Sequence, residues 1–193
     1  MNTGHLAYLA SPEWAKALQT ELVPWLEEVA DLGDDVLEIG PGPGLTTDLL
    51  RQRAAHLTAV EIDPALATAL KSRLANTNVE VIEGDASTLD LATDRFSAVT
   101  CFSMLHHMPS AADQDRLFAQ LHRALRAGAC LLAVDSVESE RIRQAHVDDT
   151  FVPLDADTLG QRLETAGFTD VAISRAGEYQ IRFSAKKAAP SAH

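Results

Sequence analysis

Short apolar runs bounded by turn residues alternate along the chain with stretches of helical periodicity. The runs predict strands at 36–40, 57–62, 79–83, 97–102 and 129–135, and the periodic stretches predict helices at 45–54, 64–75 and 111–126, the last stopped by Gly128. Strands and helices in strict alternation imply βαβ units around a parallel sheet. Ahead of them, Trp14, Leu18, Leu22, Trp25, Leu26 and Val29 recur at helical spacing, so 12–30 reads as a helix capped by Ser11 and kinked or split at Pro24. After them, Asp155 is placed to cap a helix over 156–166 that ends at Gly167. The runs Val171–Ser174 and Gln180–Ala185 then lie so close together that only a hairpin can join them. Three regions result: a helical cap over 1–33, a main domain over 34–187, and a flexible tail over 188–193.

A chain of 193 residues with 46% hydrophobic and 23% charged residues suits one α/β domain with a substantial core. No apolar run is long enough to span a membrane, and the first residues lack the basic stretch and apolar core of a signal peptide. The expectation is a cytoplasmic location. Cys101 and Cys130 fall in expected strands without metal-ligand or redox spacing, which predicts buried, reduced thiols. Acids outnumber bases 28 to 16, for a net charge of −12, and no basic cluster exceeds Lys186-Lys187. That balance argues against a nucleic-acid partner, whose phosphates call for a basic footprint.

The densest chemistry lies in Val36-Leu-Glu-Ile-Gly-Pro-Gly-Pro-Gly44, a strand running into three alternating glycines. Glycines there leave a side-chain-free floor for a ligand, and Pro41 and Pro43 are expected to stiffen it and hold Gly40 and Gly42 extended. The dinucleotide fingerprint would need glycine at Leu45, and a P-loop would need a lysine that the stretch between Lys16 and Lys71 does not contain. The loop therefore suits a nucleoside cofactor without an obvious phosphate. Glu38 fits a ligand bearing an ammonium group, or else braces the loop. Glu61 ends the second strand 21 residues after Gly40, near the distance at which such sheets place a carboxylate on the ribose. Asp63, before Pro64, reads as a helix N-cap. Asp85, after Gly84, reads as a ligand contact or as a turn-forming residue. His106-His107 sits in neither a His-x-x-x-His nor a His-Glu-x-x-His pattern, so no metal is expected.

In order and spacing these elements resemble the class I S-adenosylmethionine-dependent methyltransferases over roughly residues 34 to 186. Glu38-Ile-Gly40-Pro-Gly42-Pro-Gly44, Val60-Glu61-Ile62-Asp63, Glu83-Gly-Asp85-Ala86, the stretch Phe96 to His107 and the stretch Leu121 to Asp135 carry the resemblance. It implies a Rossmann-like, doubly wound α/β sheet of seven strands in the order 3-2-1-4-5-7-6, with the last strand pair antiparallel and helices on both faces. It also implies S-adenosylmethionine as cofactor, held by Glu38, Gly40, Gly42, Gly44, Glu61, Ile62, Asp85, Ala86 and Phe102. Glu61 would take the ribose hydroxyls and Asp85 the adenine amino group. His106 or His107 would face the acceptor as a general base. The expected function is in-line methyl transfer to a small-molecule acceptor, beneath a lid formed by the N-terminal helix and the polar stretch Ser136 to Thr150. Residues 36 to 90 are similar in particular to the ribosomal RNA adenine dimethyltransferases. Phe102-Ser-Met-Leu105 stands where those enzymes have Asn-Leu-Pro-Tyr, and their basic helical extension is missing. RNA adenine N-methylation is therefore the alternative, beside a non-catalytic S-adenosylmethionine-binding protein. The acceptor, the atom methylated and a homodimer stay open.

Overall fold

The computed structural model describes residues 3–189, so most of the tail expected over 188–193 lies outside the described residues. Seven strands form one sheet: β1 (Asp35–Ile39), β2 (His56–Glu61), β3 (Val79–Glu83), β4 (Phe96–Phe102), β5 (Leu125–Ser136), β6 (Thr169–Ala176) and β7 (Gln180–Lys186). Their order is β3-β2-β1-β4-β5-β7-β6. The first five run parallel; β7 pairs antiparallel with β5 and with β6. This is the expected order, and it has the expected cause: helical crossovers join β1 to β2, β2 to β3 and β4 to β5, an irregular crossover over 84–95 joins β3 to β4, and β6 and β7 are joined by a short turn that permits only a hairpin.

Alternate residues of each central strand feed opposite layers. Leu37, Val99, Cys101, Leu131 and Ala133 pack on one face with Leu117, Phe118 and Leu121 of α6 (Ala111–Ala124) and Leu159 and Leu163 of α8 (Ala156–Thr165). Val36, Ala98, Leu132 and Val134 pack on the other face with Leu50 of α4 (Leu45–Leu50) and with Leu18, Leu22 and Leu26 of the N-terminal helices. A strand buried on both sides is apolar at most positions, which is why β1 and β4 read as largely hydrophobic runs. Cys101 and Cys130 are free thiols buried in this sheet, and burial pushes both thiol pKa values up.

The N-terminal helix is divided more finely than its periodicity suggests. α1 (Thr3–Leu9) precedes α2 (Pro12–Ala17), a π-helical turn spans Leu18–Leu22, and α3 (Val23–Val29) follows. Pro24 has no N–H to donate to the preceding turn, and just before it the Val23 N–H reaches back five residues to the Leu18 carbonyl. Expected caps are in place: the Ser11 hydroxyl accepts from Trp14 N at 3.1 Å and Asp155 Oδ1 from Asp157 N at 3.0 Å. Gly167 (φ +104°) ends α8, and the Phe168 N–H returns to the Leu163 carbonyl. α5 (Pro64–Arg73) is capped by Asp63, whose Oδ1 accepts from Ala65 N and Leu66 N at 2.8 and 3.1 Å.

Gly128 does not stop α6 as expected. The helix already ends at Ala124, because Leu125 is extended and pairs with Phe96. Gly128, at φ +81°, lies in an irregular stretch inside β5, where the register slips before Cys130 pairs with Ala98. Its N–H bonds the Lys187 carbonyl. Competition from the β4 edge, which helical periodicity does not encode, moves the boundary.

Candidate active site

The carboxyl ends of β1, β2, β3 and β4 converge on the glycine loop. Gly40, Gly42 and Gly44 have φ values of +66°, +55° and +90°. Ordinary residues before proline are held extended, but glycine has no Cβ to clash with the proline ring, so Gly40 and Gly42 take positive φ instead. At Gly40 a Cβ would lie 2.8 Å from Met104 Cβ, and at Gly44 it would lie 2.4 Å from Arg73 Nη2 and from Leu70 Cδ2. At Gly42 only Leu9 Cδ1, at 4.0 Å, stands where a side chain would go, so the floor there is open.

Two acids secure this loop from beneath. Glu38, in β1, is fully buried; its carboxylate accepts from the hydroxyls of Thr46 and Thr47, the latter at 2.7 Å. Burial raises its pKa to about 7, although the two threonine bonds favour the charged form. Both partners belong to the first turn of α4, so Glu38 ties β1 to the helix that starts at Gly44. Of the two tasks expected of it, bracing is the one this geometry displays. Glu61, at the end of β2, accepts from Gly42 N through Oε2 and from Asp63 N through Oε1, each at 2.9 Å. It is only 5% exposed. Glu61 thus locks the centre of the glycine loop to the second strand, and any ribose contact would use its remaining lone pairs.

Ile62, just past the end of β2, is an apolar residue 66% exposed. Asp85 uses Oδ1 to accept from the Ser87 N–H and hydroxyl at 2.8 and 2.7 Å, forming the turn that the Gly84-Asp85 pair suggests. Its Oδ2 takes no part in that turn. Ala86 is buried, and its carbonyl accepts from Gln120 Nε2 at 2.9 Å. An open floor at Gly42, an exposed apolar residue next to Glu61 and the carboxylates of Glu61 and Asp85 fit a nucleoside carrying positive charge. S-adenosylmethionine has that chemistry.

Beyond β4 the chain makes a tight turn. Phe102 is buried, Ser103 takes a positive φ of +54°, and Leu105–His107 form a 3-10 turn. Asp135, near the end of β5 and fully buried, organises this turn. Its carboxylate accepts from the N–H groups of Met104, Leu105, His106 and Ser136 at 3.1, 2.8, 3.3 and 2.7 Å, and from His106 Nδ1 at 2.5 Å. Burial alone would raise the Asp135 pKa, but the His106 ring and these hydrogen bonds hold it below the ordinary range. The sequence brought His106 and His107 into view but not Asp135. Its importance depends on amides thirty residues away folding back onto it, and no local pattern signals that.

A cavity of about 710 Å³ opens over this turn. Leu9, Trp14 and Leu18 from the N-terminal helices form one wall, Phe102, Ser103 and His106 the floor, and Arg141, Ile142 and His146 of the α7 region (Glu140–Ala145) another wall. Tyr179 and Gln180, at the β6–β7 turn, complete it. Leu9, Trp14, Phe102 and Ser103 also border a small void against Gly40, Pro41 and Pro43, so the cavity adjoins the glycine loop. Both segments expected to form a lid, the N-terminal helices and the stretch after Ser136, therefore line this space.

A seven-stranded sheet of this order, with a glycine loop after β1 and an acid at the end of β2, defines a Rossmann-like nucleoside-cofactor fold. Residues 36–128 match the family model described as a methyltransferase domain. That match covers just under half of the chain, and together with the fold it supports a class I S-adenosylmethionine-dependent methyltransferase with S-adenosylmethionine as its cofactor. Among curated relatives, it is 46% identical over 70 residues to the ribosomal RNA small subunit methyltransferase A of Koribacter versatilis, covering 35% of this chain and 25% of that protein. It is 31% identical over 104 residues to the ubiquinone biosynthesis O-methyltransferase of Stutzerimonas stutzeri, covering 51% and 44%. The chain thus spans less than half the length of these curated relatives. A solved structure of a SAM dependent methyltransferase from Aquifex aeolicus shares the fold at TM-score 0.75 and 19% identity, covering 97% of this chain and 99% of that one.

Proposed function

We propose that this protein methylates a small-molecule acceptor bound in the cavity over the β4 and β5 ends. The observation that carries this reading is the cavity itself. At about 710 Å³ it lies within the range of small-ligand sites, adjoins the glycine loop and is walled on several sides. When bound, S-adenosylmethionine supplies an activated methyl group on a sulfonium. Gly40, Gly42 and Gly44 would form its bed, with Glu61 and Asp85 toward its sugar and base, Ile62 and Ala86 flanking them, and Phe102 toward the acceptor. Glu38 would hold the bed in shape.

The protein's own contribution is alignment and exclusion of water. Leu9, Trp14 and Leu18 close the cavity on one side, which supports treating residues 1–33 as a cap on a domain spanning 34–187. On the acceptor side, Asp135 fixes the His106 ring through Nδ1 and places the ring's lone pair on Nε2, the nitrogen suited to take an acceptor proton. His107 lies beside it, with ring centroids 4.2 Å apart. The net charge of −12 and the lack, among the described residues, of a helix long and apolar enough to cross a membrane support a cytoplasmic enzyme of small substrates.

One finding favours a second reading. The relative from Koribacter versatilis is named as a ribosomal RNA methyltransferase, so RNA adenine methylation stays as the alternative acceptor class. The test is turnover to S-adenosylhomocysteine with pooled small metabolites and with structured RNA. Turnover on the metabolite pool alone supports the proposal. Turnover on RNA alone overturns it in favour of the second reading, and binding of S-adenosylmethionine without turnover on either would favour a non-catalytic binding protein.

A further inference from the structure

Three imidazoles meet at the floor of the acceptor cavity. His106 and His107 come from the turn after β4; His146 follows α7, distant in sequence. One ring nitrogen from each lies within 4.8 Å of the others. The rings are in mutual contact, with centroids 4.2 Å apart for His106–His107, 4.9 Å for His106–His146 and 5.0 Å for His107–His146. His106 and His146 are buried and both line the cavity.

Each ring is oriented by a group behind it. His106 Nδ1 donates to the Asp135 carboxylate at 2.5 Å, and His146 Nδ1 donates to the Ile142 carbonyl at 2.7 Å. Those bonds set the tautomer of both rings and put the lone pair on Nε2. His107 Nδ1 lies 3.8 Å from Asp149 Oδ1. A carboxylate or backbone carbonyl behind the ring is the arrangement that fixes metal-bound histidines. The two sides of the cluster are also fastened together. Val152 N–H bonds the His106 carbonyl at 2.8 Å, and Gln114 Nε2 bridges the carbonyls of Leu105 and Val152 at 3.0 and 2.9 Å. The rings therefore stand on tied elements rather than on independent loops.

We infer that His106, His107 and His146, the ligands supplied among the described residues, form a binding site for a divalent transition-metal ion of the zinc class beside the cavity. Imidazole donors suit zinc and its neighbours over magnesium or calcium, which take oxygen ligands. Among the described residues the cluster supplies three ligands, the number that metal sites of this class use when a substrate atom also binds. Tetrahedral bonds of about 2.0–2.1 Å put ligand nitrogens about 3.3 Å apart, so the rings would close in modestly on the ion. The ion would make a hydroxyl that reached it a stronger acid, its proton leaving to water; a metal-bound His106 would have its Nε2 lone pair occupied, so metal activation replaces the general-base role given above. An oxygen acceptor is then the class that the cavity selects. That last step rests on the methyl-transfer reading; the metal site itself does not.

The test uses the full chain, stripped with a chelator and titrated with cobalt(II) and then zinc(II). We expect one equivalent of cobalt per chain, with the intense visible bands of a tetrahedral site, displaced by zinc. His146→Ala should weaken binding by about 100-fold or more through the loss of a ligand. His107→Gln, at a less buried position, provides a second variant should the first not fold, with calorimetric binding of S-adenosylhomocysteine confirming the fold of each. No tetrahedral cobalt spectrum, or an undiminished one in a variant that still binds S-adenosylhomocysteine, overturns the site. Failure of the unaltered protein to bind S-adenosylhomocysteine while cobalt binds as expected would instead count against the cofactor assignment and leave the metal site standing.

Discussion

Replacing Glu38 with glutamine should flatten part of the protein's stability–pH curve. Glu38 is 1% exposed, and burial lifts its pKa from the ordinary 4.5 to about 7. Below pH 4.5 the group is protonated in both folded and unfolded chains, and its contribution is fully present. Between 4.5 and about 7 the unfolded chain releases the proton while the folded chain retains it, so stability falls as pH rises. The slope approaches 1.4 kcal/mol per pH unit, making the window worth about 3 kcal/mol. A glutamine amide can still accept from one threonine hydroxyl and donate to the other, so the brace to Thr46 and Thr47 survives while the titration disappears. Urea denaturation of both proteins at a series of pH values from about 4 to 8 gives the comparison. Relative to the glutamine variant, the unaltered protein should lose about 3 kcal/mol across that series. Parallel curves would mean that the Glu38 pocket does not disfavour its charge, and the reasoning from burial would fail.

Glu61→Ala removes the acceptor for Gly42 N and Asp63 N; we expect a stability loss of about 2 kcal/mol and weaker S-adenosylhomocysteine binding by about 1–3 kcal/mol. Unchanged calorimetric affinity would remove Glu61 from the cofactor site. Gly44→Ala must accommodate a Cβ 2.4 Å from Arg73 and Leu70 at a φ of +90°, costing about 1–3 kcal/mol by thermal or urea denaturation; a neutral result would show that the loop relaxes freely. Asp135→Ala strands the amides of Met104, Leu105, His106 and Ser136 and the His106 ring, so it should cost about 3–5 kcal/mol in urea. A loss under about 1 kcal/mol would mean that water replaces the carboxylate there.

The fold was legible because its signals are local. Buried strands such as β1 and β4 announce themselves as apolar runs, Asp63 and Asp155 mark helix starts, and the short gap before Gln180 forces the hairpin. What the sequence concealed depends on distant partners. Leu125 reads as helix until Phe96 competes for its backbone. Nothing in the spacing of Leu18 to Leu22 announces a π turn, although Pro24 hints at a disturbance. The cofactor half of the site follows the same division. Gly40, Gly42, Gly44 and Glu61 were visible from pattern alone, whereas the grip of Glu61 on Gly42 and the bond from Thr47 to Glu38 appear only in three dimensions. On the acceptor side, His146 gave no signal at all, because its relation to His106 depends on where the chain after β5 happens to fold.

The walls of the cavity proposed to hold the acceptor carry a consequence for how this scaffold diversifies. Apart from Phe102, Ser103 and His106, its lining comes from before residue 36 and after residue 128, outside the span that the methyltransferase domain model recognises. On the proposed reading, donor handling and acceptor choice are written in separable portions of the polypeptide, and selection can rewrite the outer portions without disturbing the inner one. Chimaeras that exchange the leading helices, the α7 region and the final hairpin between relatives should inherit the preference of whichever parent supplied those pieces.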